Sequence, residues 1–184
     1  MDLIMILGLA IGSIVLVTIA SAGIICSGLT GYTARKTESM SPTGSIIGNA
    51  LVVYDPGISG ASKNAAAKIA NNLKSKGYNV TLAGVRSATA ANRSGHDVII
   101  VGGPMYFGKV SNSINTYLKT LTLPNDTKLG VFATTGAAEF NNEDITSLGK
   151  QVTSLQSKNA VIKTLRNGTA TNADCMNFVS TLLK

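Results

Sequence analysis

The hydrophobic pattern divides the chain into two unlike stretches. From Leu3 to Cys26 apolar residues and glycine run on, broken only by Ser13, Thr18 and Ser21, and no charge occurs between Leu3 and Ala34. About 20 residues at 1.5 Å rise cross a hydrocarbon core of roughly 30 Å, so this run can form one transmembrane helix. Beyond it, short apolar runs alternate with helical periodicities. Ala50–Tyr54 (ALVVY) reads as a buried strand stopped by Asp55-Pro56-Gly57. Across Ala61–Lys76, Ala66, Ile69, Ala70 and Leu73 recur at helical steps, with Gly77 placed as a C-cap. Tyr78–Leu82 alternates as a second strand, and Val98–Val101 (VIIV) is apolar throughout, as a central strand must be. Ser111 can cap a helix whose apolar face is Ile114, Tyr117, Leu118 and Leu121. Leu129–Ala133 is a fourth strand. Asn141, Glu143 and Asp144 open a helix carrying Ile145, Leu148, Val152 and Leu155. Ala160–Leu165 is a fifth strand, and Asn172–Leu183 closes the chain as a helix burying Cys175, Phe178, Val179 and Leu182. Five strands separated by helices specify an α/β fold, an open parallel sheet with helices on both faces.

Composition sharpens this division. The chain of 184 residues is 45% hydrophobic, with a mean hydropathy of +0.25. Without the first stretch that mean falls to roughly −0.1, an ordinary value for a soluble domain. The organisation expected is therefore a transmembrane helix at 3–26, a linker at 27–48 rich in small polar residues, and one domain at 49–184. A cleaved export signal is the rival at the N-terminus, since Ala20-Ser21-Ala22 has the form of a cleavage site, and a lipoprotein modified at Cys26 is another. The short n-region without Lys or Arg, the length of the apolar run and Ile25 before Cys26 favour the uncleaved anchor. Arg35-Lys36 follows the run and nothing basic precedes it, which puts the domain on the cytoplasmic face of the cell membrane as a single-pass protein.

All 16 basic residues and eight of the nine acidic ones lie beyond Ala34, a net charge of +8 there. Such a domain, tethered at an anionic leaflet, would be drawn toward it, and a generically soluble basic surface is an equally good reading of the same charge. No cluster of Arg and Lys interleaved with aromatics occurs, so no nucleic-acid partner is expected. Two cysteines, Cys26 and Cys175, and one histidine, His96, exclude a disulfide scaffold, a Cys-rich zinc module and a His-based metal cluster.

In an open α/β sheet, ligands bind beyond the carboxyl ends of the strands. The loop after the first strand, Asp55 to Asn64, offers backbone N–H groups, the Ser59 and Ser62 hydroxyls and the positive end of a helix to an anion such as phosphate. It lacks the spacing of a Walker A loop. A tight turn without a ligand is the plainer reading of that loop alone. After the third strand, Gly102 to Lys109 sets Tyr106 and Phe107 beside glycines, where a flat ligand can stack. After the fourth, Thr134 to Phe140 again combines hydroxyls, glycine and an aromatic. A phosphate at the first loop with a planar ring between the other two describes flavin mononucleotide (FMN). Elsewhere, His96-Asp97 reads as a turn, Cys175 as a buried small hydrophobe, and Lys109 and Glu139 as solvated charges.

Gly57-Ile58-Ser59-Gly60-Ala61-Ser62 follows the pattern Ser/Thr-x-Ser/Thr-Gly-x-Ser/Thr except at its first position, where Gly57 stands for a hydroxyl residue. Gly102-Gly103-Pro104-Met105-Tyr106 fits the pattern Gly-Gly/Ser-Pro-x-Tyr/Trp. On these residues the chain from Asn49 to Leu183 resembles a short-chain member of the flavodoxin family, though its third loop lacks the Tyr and Gly-Asp features of many electron carriers. The resemblance implies a flavodoxin-like doubly wound five-stranded parallel sheet of order 2-1-3-4-5 and non-covalently held FMN. Gly57, Ile58, Ser59, Gly60, Ala61, Ser62 and Lys63 would hold the phosphate. Pro104, Met105, Tyr106, Phe107 and Gly108 on one side, and Thr134, Thr135 and Gly136 on the other, would hold the ring, with Tyr106 stacking. It further implies electron transfer or a small flavin-dependent oxidoreductase activity, with a redox partner protein or a quinone, and assigns no catalytic side chain and no metal. The chain is also similar to flavodoxin-like, quinone-linked protoporphyrinogen dehydrogenases. A module that kept the fold and lost the flavin, serving as an interaction domain, is the alternative outside redox chemistry.

Overall fold

In the computed structural model the residues described are 34–123, 126–136, 160–166 and 172–184. The apolar run at 3–26 and the helix expected from Asn141 lie outside them. Among the described residues no helix is long and apolar enough to cross a membrane.

The three most apolar runs form the centre of the sheet. They are β2 (Gly48–Tyr54), β4 (Val98–Tyr106) and β6 (Lys128–Thr135). Each is covered on both faces, which is why its sequence is nearly continuous in apolar residues rather than alternating. Around them lie β1 (Thr37–Met40), β3 (Tyr78–Gly84), the two-residue β5 (Lys109–Val110) and β7 (Val161–Arg166). The helices are α1 (Ala61–Ser75), the short α2 (Ala88–Ala91), α3 (Asn112–Lys119) and α4 (Asn172–Leu183). The sheet runs β1-β3-β2-β4-β6-β7, with β5 paired to β4. Its parallel members, β3-β2-β4-β6-β7, stand in the order second, first, third, fourth, fifth.

Successive residues of each strand feed opposite layers. Leu51, Val53, Ile99, Val101, Leu129 and Val131 pack with Ile114 and Leu118 of α3. Val52, Tyr54, Ile100 and Phe132 pack with Ile69 and Leu73 of α1 and with Phe178 and Val179 of α4. Cys175 is fully buried in that second layer and carries a free thiol, as its place on an apolar helix face suggests. Helix α1 ends as its sequence indicates: Lys76 is the cap and Gly77 follows at φ +97°.

Three departures from the sequence reading bear on the site. Thr37–Met40, inside the stretch read as a linker, is an edge strand antiparallel to β3, pairing Thr37 with Ala83 and Met40 with Val80. Its four residues carry no apolar alternation, because an edge strand needs only backbone pairing; Met40 alone packs on the core. Strand β4 continues five residues past Val101. Gly102 and Gly103 are interior strand positions where no side chain fits: a Cβ at Gly102 would lie 2.3 Å from the Phe132 ring, and one at Gly103 2.7 Å from Ile114. The glycines that look like loop in sequence answer a packing demand. Ser111 does hold the N-cap position of α3, but its hydroxyl makes no capping bond and turns to Asp55 instead.

Candidate functional site

Residue register brings the carboxyl ends of the central strands together: Tyr54 pairs with Gly102, and Pro104 with Thr134. The chain leaving β2 is fixed by Asp55. Its N–H donates to the Gly102 carbonyl at 2.9 Å. Its carboxylate accepts from the Gly57 N–H at 3.1 Å, from Ser111 Oγ at 2.8 Å, and from Ser113 Oγ. The first of these closes an Asx turn. The others tie the loop to the first turn of α3, where a carboxylate is favoured by the helix dipole. In the sequence Asp55 reads as a strand stop. The Asp-Pro-Gly signal for the turn is legible, but the partners 56 and 58 residues away are not.

Gly57 sits at φ +62°, and a Cβ there would lie 2.9 Å from Pro104 and 3.1 Å from the Tyr106 hydroxyl. That hydroxyl accepts a hydrogen bond from the Ile58 N–H at 3.3 Å. Tyr106 therefore meets the first loop with its polar end, and its phenol occupies the space beside the position where the sequence pattern has a hydroxyl residue. Gly60 follows at φ +71°, with nothing within 4 Å of a Cβ built on it. It is the N-cap of α1 and offers no side chain. The Asn64 N–H bonds the Gly60 carbonyl at 3.0 Å and the Ala61 N–H bonds Ser59 Oγ at 3.4 Å. Among the described residues, the N–H groups of Ser59, Gly60, Ser62 and Lys63 have no acceptor. The positive end of an uncapped helix with open space above it attracts negative charge.

Ser59 is exposed, while Ser62 is 1% exposed and lies 2.5 Å from Thr134, hydroxyl to hydroxyl. Two hydroxyls hold two protons and spend one on their mutual bond, so one proton remains to donate. Thr135 is buried and Gly136 exposed at the end of β6. Thr134 and Thr135, expected in a loop, are the last residues of β6, and Thr134 joins the carboxyl end of that strand to the first turn of α1. Phe140 and Glu139 lie outside the described residues.

The second loop is tighter than its sequence suggests. Tyr106 pairs with Lys109 across a two-residue turn in which Phe107 (φ 50°) and Gly108 (φ 73°) are both left-handed. This is the type I′ hairpin geometry, natural for Gly108 and strained by roughly 1–3 kcal/mol for an aromatic residue. Phe107 is fully exposed at its tip, and Tyr106 is 44% exposed. Pro104 and Met105, expected beside a ring, are buried. Met105 packs in the core with α3, because strand alternation at the elongated end of β4 turns it inward. Any part it takes at this end comes through its backbone. Lys109 is exposed and Lys63 half-buried near the same end. His96 and Asp97 lie at the other end, where Asp97 Oδ2 accepts from the Asn49 N–H at 2.8 Å and the Asp97 carbonyl accepts from the Lys128 N–H at 2.9 Å. They join strand starts.

No protein-family profile matches the chain, and no curated protein matches it in sequence. Solved structures do match in three dimensions. Oxidised flavodoxin 2 from Bacillus cereus is 20% identical with a TM-score of 0.57, over 73% of this chain and 97% of that one. Two-electron reduced Megasphaera elsdenii flavodoxin is 18% identical with a TM-score of 0.53, over 72% and 97%. The Flv1 flavodiiron core from Synechocystis sp. PCC6803 is 18% identical with a TM-score of 0.54, over 73% of this chain and 36% of that one. The fold of the described domain is flavodoxin-like, an α/β fold with a parallel sheet.

Proposed function

We propose that the chain is a membrane-anchored, FMN-binding protein of electron transfer or small oxidoreductase type. The observation that carries this reading is the acceptorless N-terminus of α1, opening at Gly60 between the Tyr106–Phe107 hairpin and the Ser62–Thr134 pair. A phosphate satisfies the free N–H groups there, and exposed aromatic surface lies one loop away. The residues fit the group.

FMN, when bound, supplies one- or two-electron redox chemistry, and the protein supplies position and electrostatics. The N–H groups of Ser59, Gly60, Ser62 and Lys63 hold the phosphate, with Ser59 Oγ and the spare proton of the Ser62–Thr134 pair as side-chain donors. The Tyr106 hydroxyl adds a donor beside Gly57, taking over from the side chain that position lacks. Phe107 offers the exposed ring for stacking, Gly108 a backbone edge, and Lys109 a positive charge at the same end. A redox partner protein or a quinone exchanges electrons with the site. The resemblance of the phosphate loop and of the Gly102–Tyr106 motif to flavodoxins supports FMN over other flavins.

The apolar run at 3–26 anchors the domain, and Arg35-Lys36 holds it on the cytoplasmic side. Full-length protein purified in detergent tests the flavin reading: FMN fluorescence is quenched saturably on titration, and Ser59→Ala with Ser62→Ala weakens that binding. Reduced, FMN-loaded protein mixed with a soluble quinone or a one-electron acceptor separates the two kinds of partner. A reporter fused after Lys184 is active in the cytoplasm; activity only outside it overturns the orientation.

A further inference from the structure

The end of the sheet that carries the candidate site is also the end at which the N-terminal segment enters the domain. The Ala34 carbonyl accepts from the Arg86 N–H at 2.8 Å, and the Lys36 carbonyl accepts from the Gly84 N–H at 2.8 Å. Gly84 is level with Tyr54 in the sheet, and Tyr54 with Gly102. Ala34 therefore lies beside the carboxyl ends of the strands, two strands from β2 and three from β4, about 10 and 15 Å at ordinary strand spacing. From Cys26, the last residue of the apolar run, to Ala34 is eight Cα steps, a reach of at most roughly 28 Å.

Two surfaces could meet a bilayer. At the amino end, Ile46 and Ile47 are 60% and 66% exposed beside a groove of about 620 Å³ that Lys74 and Lys76 help to line. Turning that end to the membrane makes the tether first run back along the sheet, roughly 23 Å for the seven residues of β3, which leaves almost none of its reach. At the carboxyl end no such detour is needed. There Ile58 is 77% exposed and Phe107 fully so, and Phe107 is held outward by a strained backbone rather than folded back. Arg35, Lys63, Arg86 and Lys109 lie at this end. Of the acidic groups there among the described residues, Glu38 is paired with Lys36 at 2.9 Å and Asp55 is turned inward onto Ser111.

We infer that the carboxyl end of the sheet docks on the anionic leaflet of the bilayer, with Phe107 and Ile58 dipping into the interface and the basic residues meeting lipid headgroups. Apolar side chains beside basic ones are the composition that interfacial binding uses, with burial of about 5–10 Å at the boundary between headgroups and acyl chains. The site would then face lipid, and an electron carrier dissolved in the membrane reaches it without crossing bulk water. This inference rests on the anchor proposed at 3–26.

The chain contains no tryptophan, so a single introduced one is a clean probe. Full-length Phe107→Trp and Ile58→Trp report the carboxyl end, and Ile47→Trp the amino end. Each is reconstituted into vesicles of phosphatidylcholine and phosphatidylglycerol containing a brominated phosphatidylcholine. The expected result is tryptophan quenching in the Phe107→Trp protein roughly two- to threefold stronger than in the Ile47→Trp protein. Quenching decreases in vesicles of phosphatidylcholine alone, and with Arg35→Glu and Arg86→Glu. Ile58→Trp behaves like Phe107→Trp, so the result does not hang on one variant. Chain that resists alkaline extraction from the vesicles, yet quenches no more at positions 107 and 58 than at 47, overturns the docking and leaves the anchor standing. Chain removed by the same extraction overturns the anchor and the docking together.

Discussion

The hydroxyls of Ser62 and Thr134 lie 2.5 Å apart, buried, and join the first turn of the helix that follows the first parallel strand to the end of the fourth. Neither can be read as a lone ligand donor, because each is the other's nearest polar partner. Truncating one leaves the other unsatisfied in the interior, at a cost of about 1–3 kcal/mol. Ser62→Ala and Thr134→Val are each predicted to destabilise by that order, and the double variant by much less than the sum. Urea unfolding of the four proteins measures the coupling. Additive effects would mean that the pair does not act as a unit.

Gly57 yields a prediction opposite to simple pattern completion. Gly57→Ser restores the hydroxyl that the family pattern has at this position. It also sets a Cβ 2.9 Å from Pro104 on a backbone at φ +62°. The variant is predicted to lose about 1–3 kcal/mol of stability and to bind FMN more weakly. Tyr106→Phe, which removes the hydroxyl that bonds the Ile58 N–H, weakens FMN binding with little loss of fold. Thermal melts and flavin titrations on both variants check these outcomes.

Phe107 trades stability for an exposed ring. Phe107→Gly relieves the left-handed strain and removes no packing, so it is predicted to raise stability by up to about 1 kcal/mol while lowering FMN affinity. A thermal midpoint that rises while the flavin Kd rises carries this account. Loss of stability would place Phe107 in the packing of the fold instead.

Stability falls on the alkaline side. Burial raises the Cys175 thiol above its ordinary 9.0. Burial likewise raises the Tyr117 hydroxyl above 10.0, against the opposing influence of Arg93, whose guanidinium lies 4.8 Å from that ring. Between the unfolded and folded values the unfolded chain holds fewer protons, so the stabilisation is intact below the unfolded pKa and lost as pH rises through the folded one. Thermal midpoints are expected to be level through neutral pH and to fall above about pH 9, with Cys175→Ala removing the earlier part of that fall.

Much of the domain was legible in sequence because its signals are local. Fully apolar runs such as Val98–Val101 mark central strands, and Gly77 marks the end of α1. What was not legible depends on partners distant in the chain. Thr37–Met40 is a strand only because β3 leaves an edge open. Gly102 and Gly103 belong to a strand because Phe132 and Ile114 fill their side-chain space. At the site, the hydroxyl-rich loop and the aromatic loop were both legible. The hydroxyl partnership of Ser62 with Thr134, the approach of Tyr106 to Ile58 and the anchoring of Asp55 on Ser111 and Ser113 each join residues 48 to 72 positions apart. No local pattern records them.

The central claim is that the uncapped N-terminus of α1 holds the phosphate of FMN. Its most direct test is titration of detergent-purified full-length protein with FMN and with riboflavin, followed by flavin fluorescence. The account predicts saturable one-to-one quenching with FMN, at least about tenfold weaker binding of riboflavin, which lacks the phosphate, and competition by inorganic phosphate. Equal affinity for both flavins, or no binding of either, would contradict it.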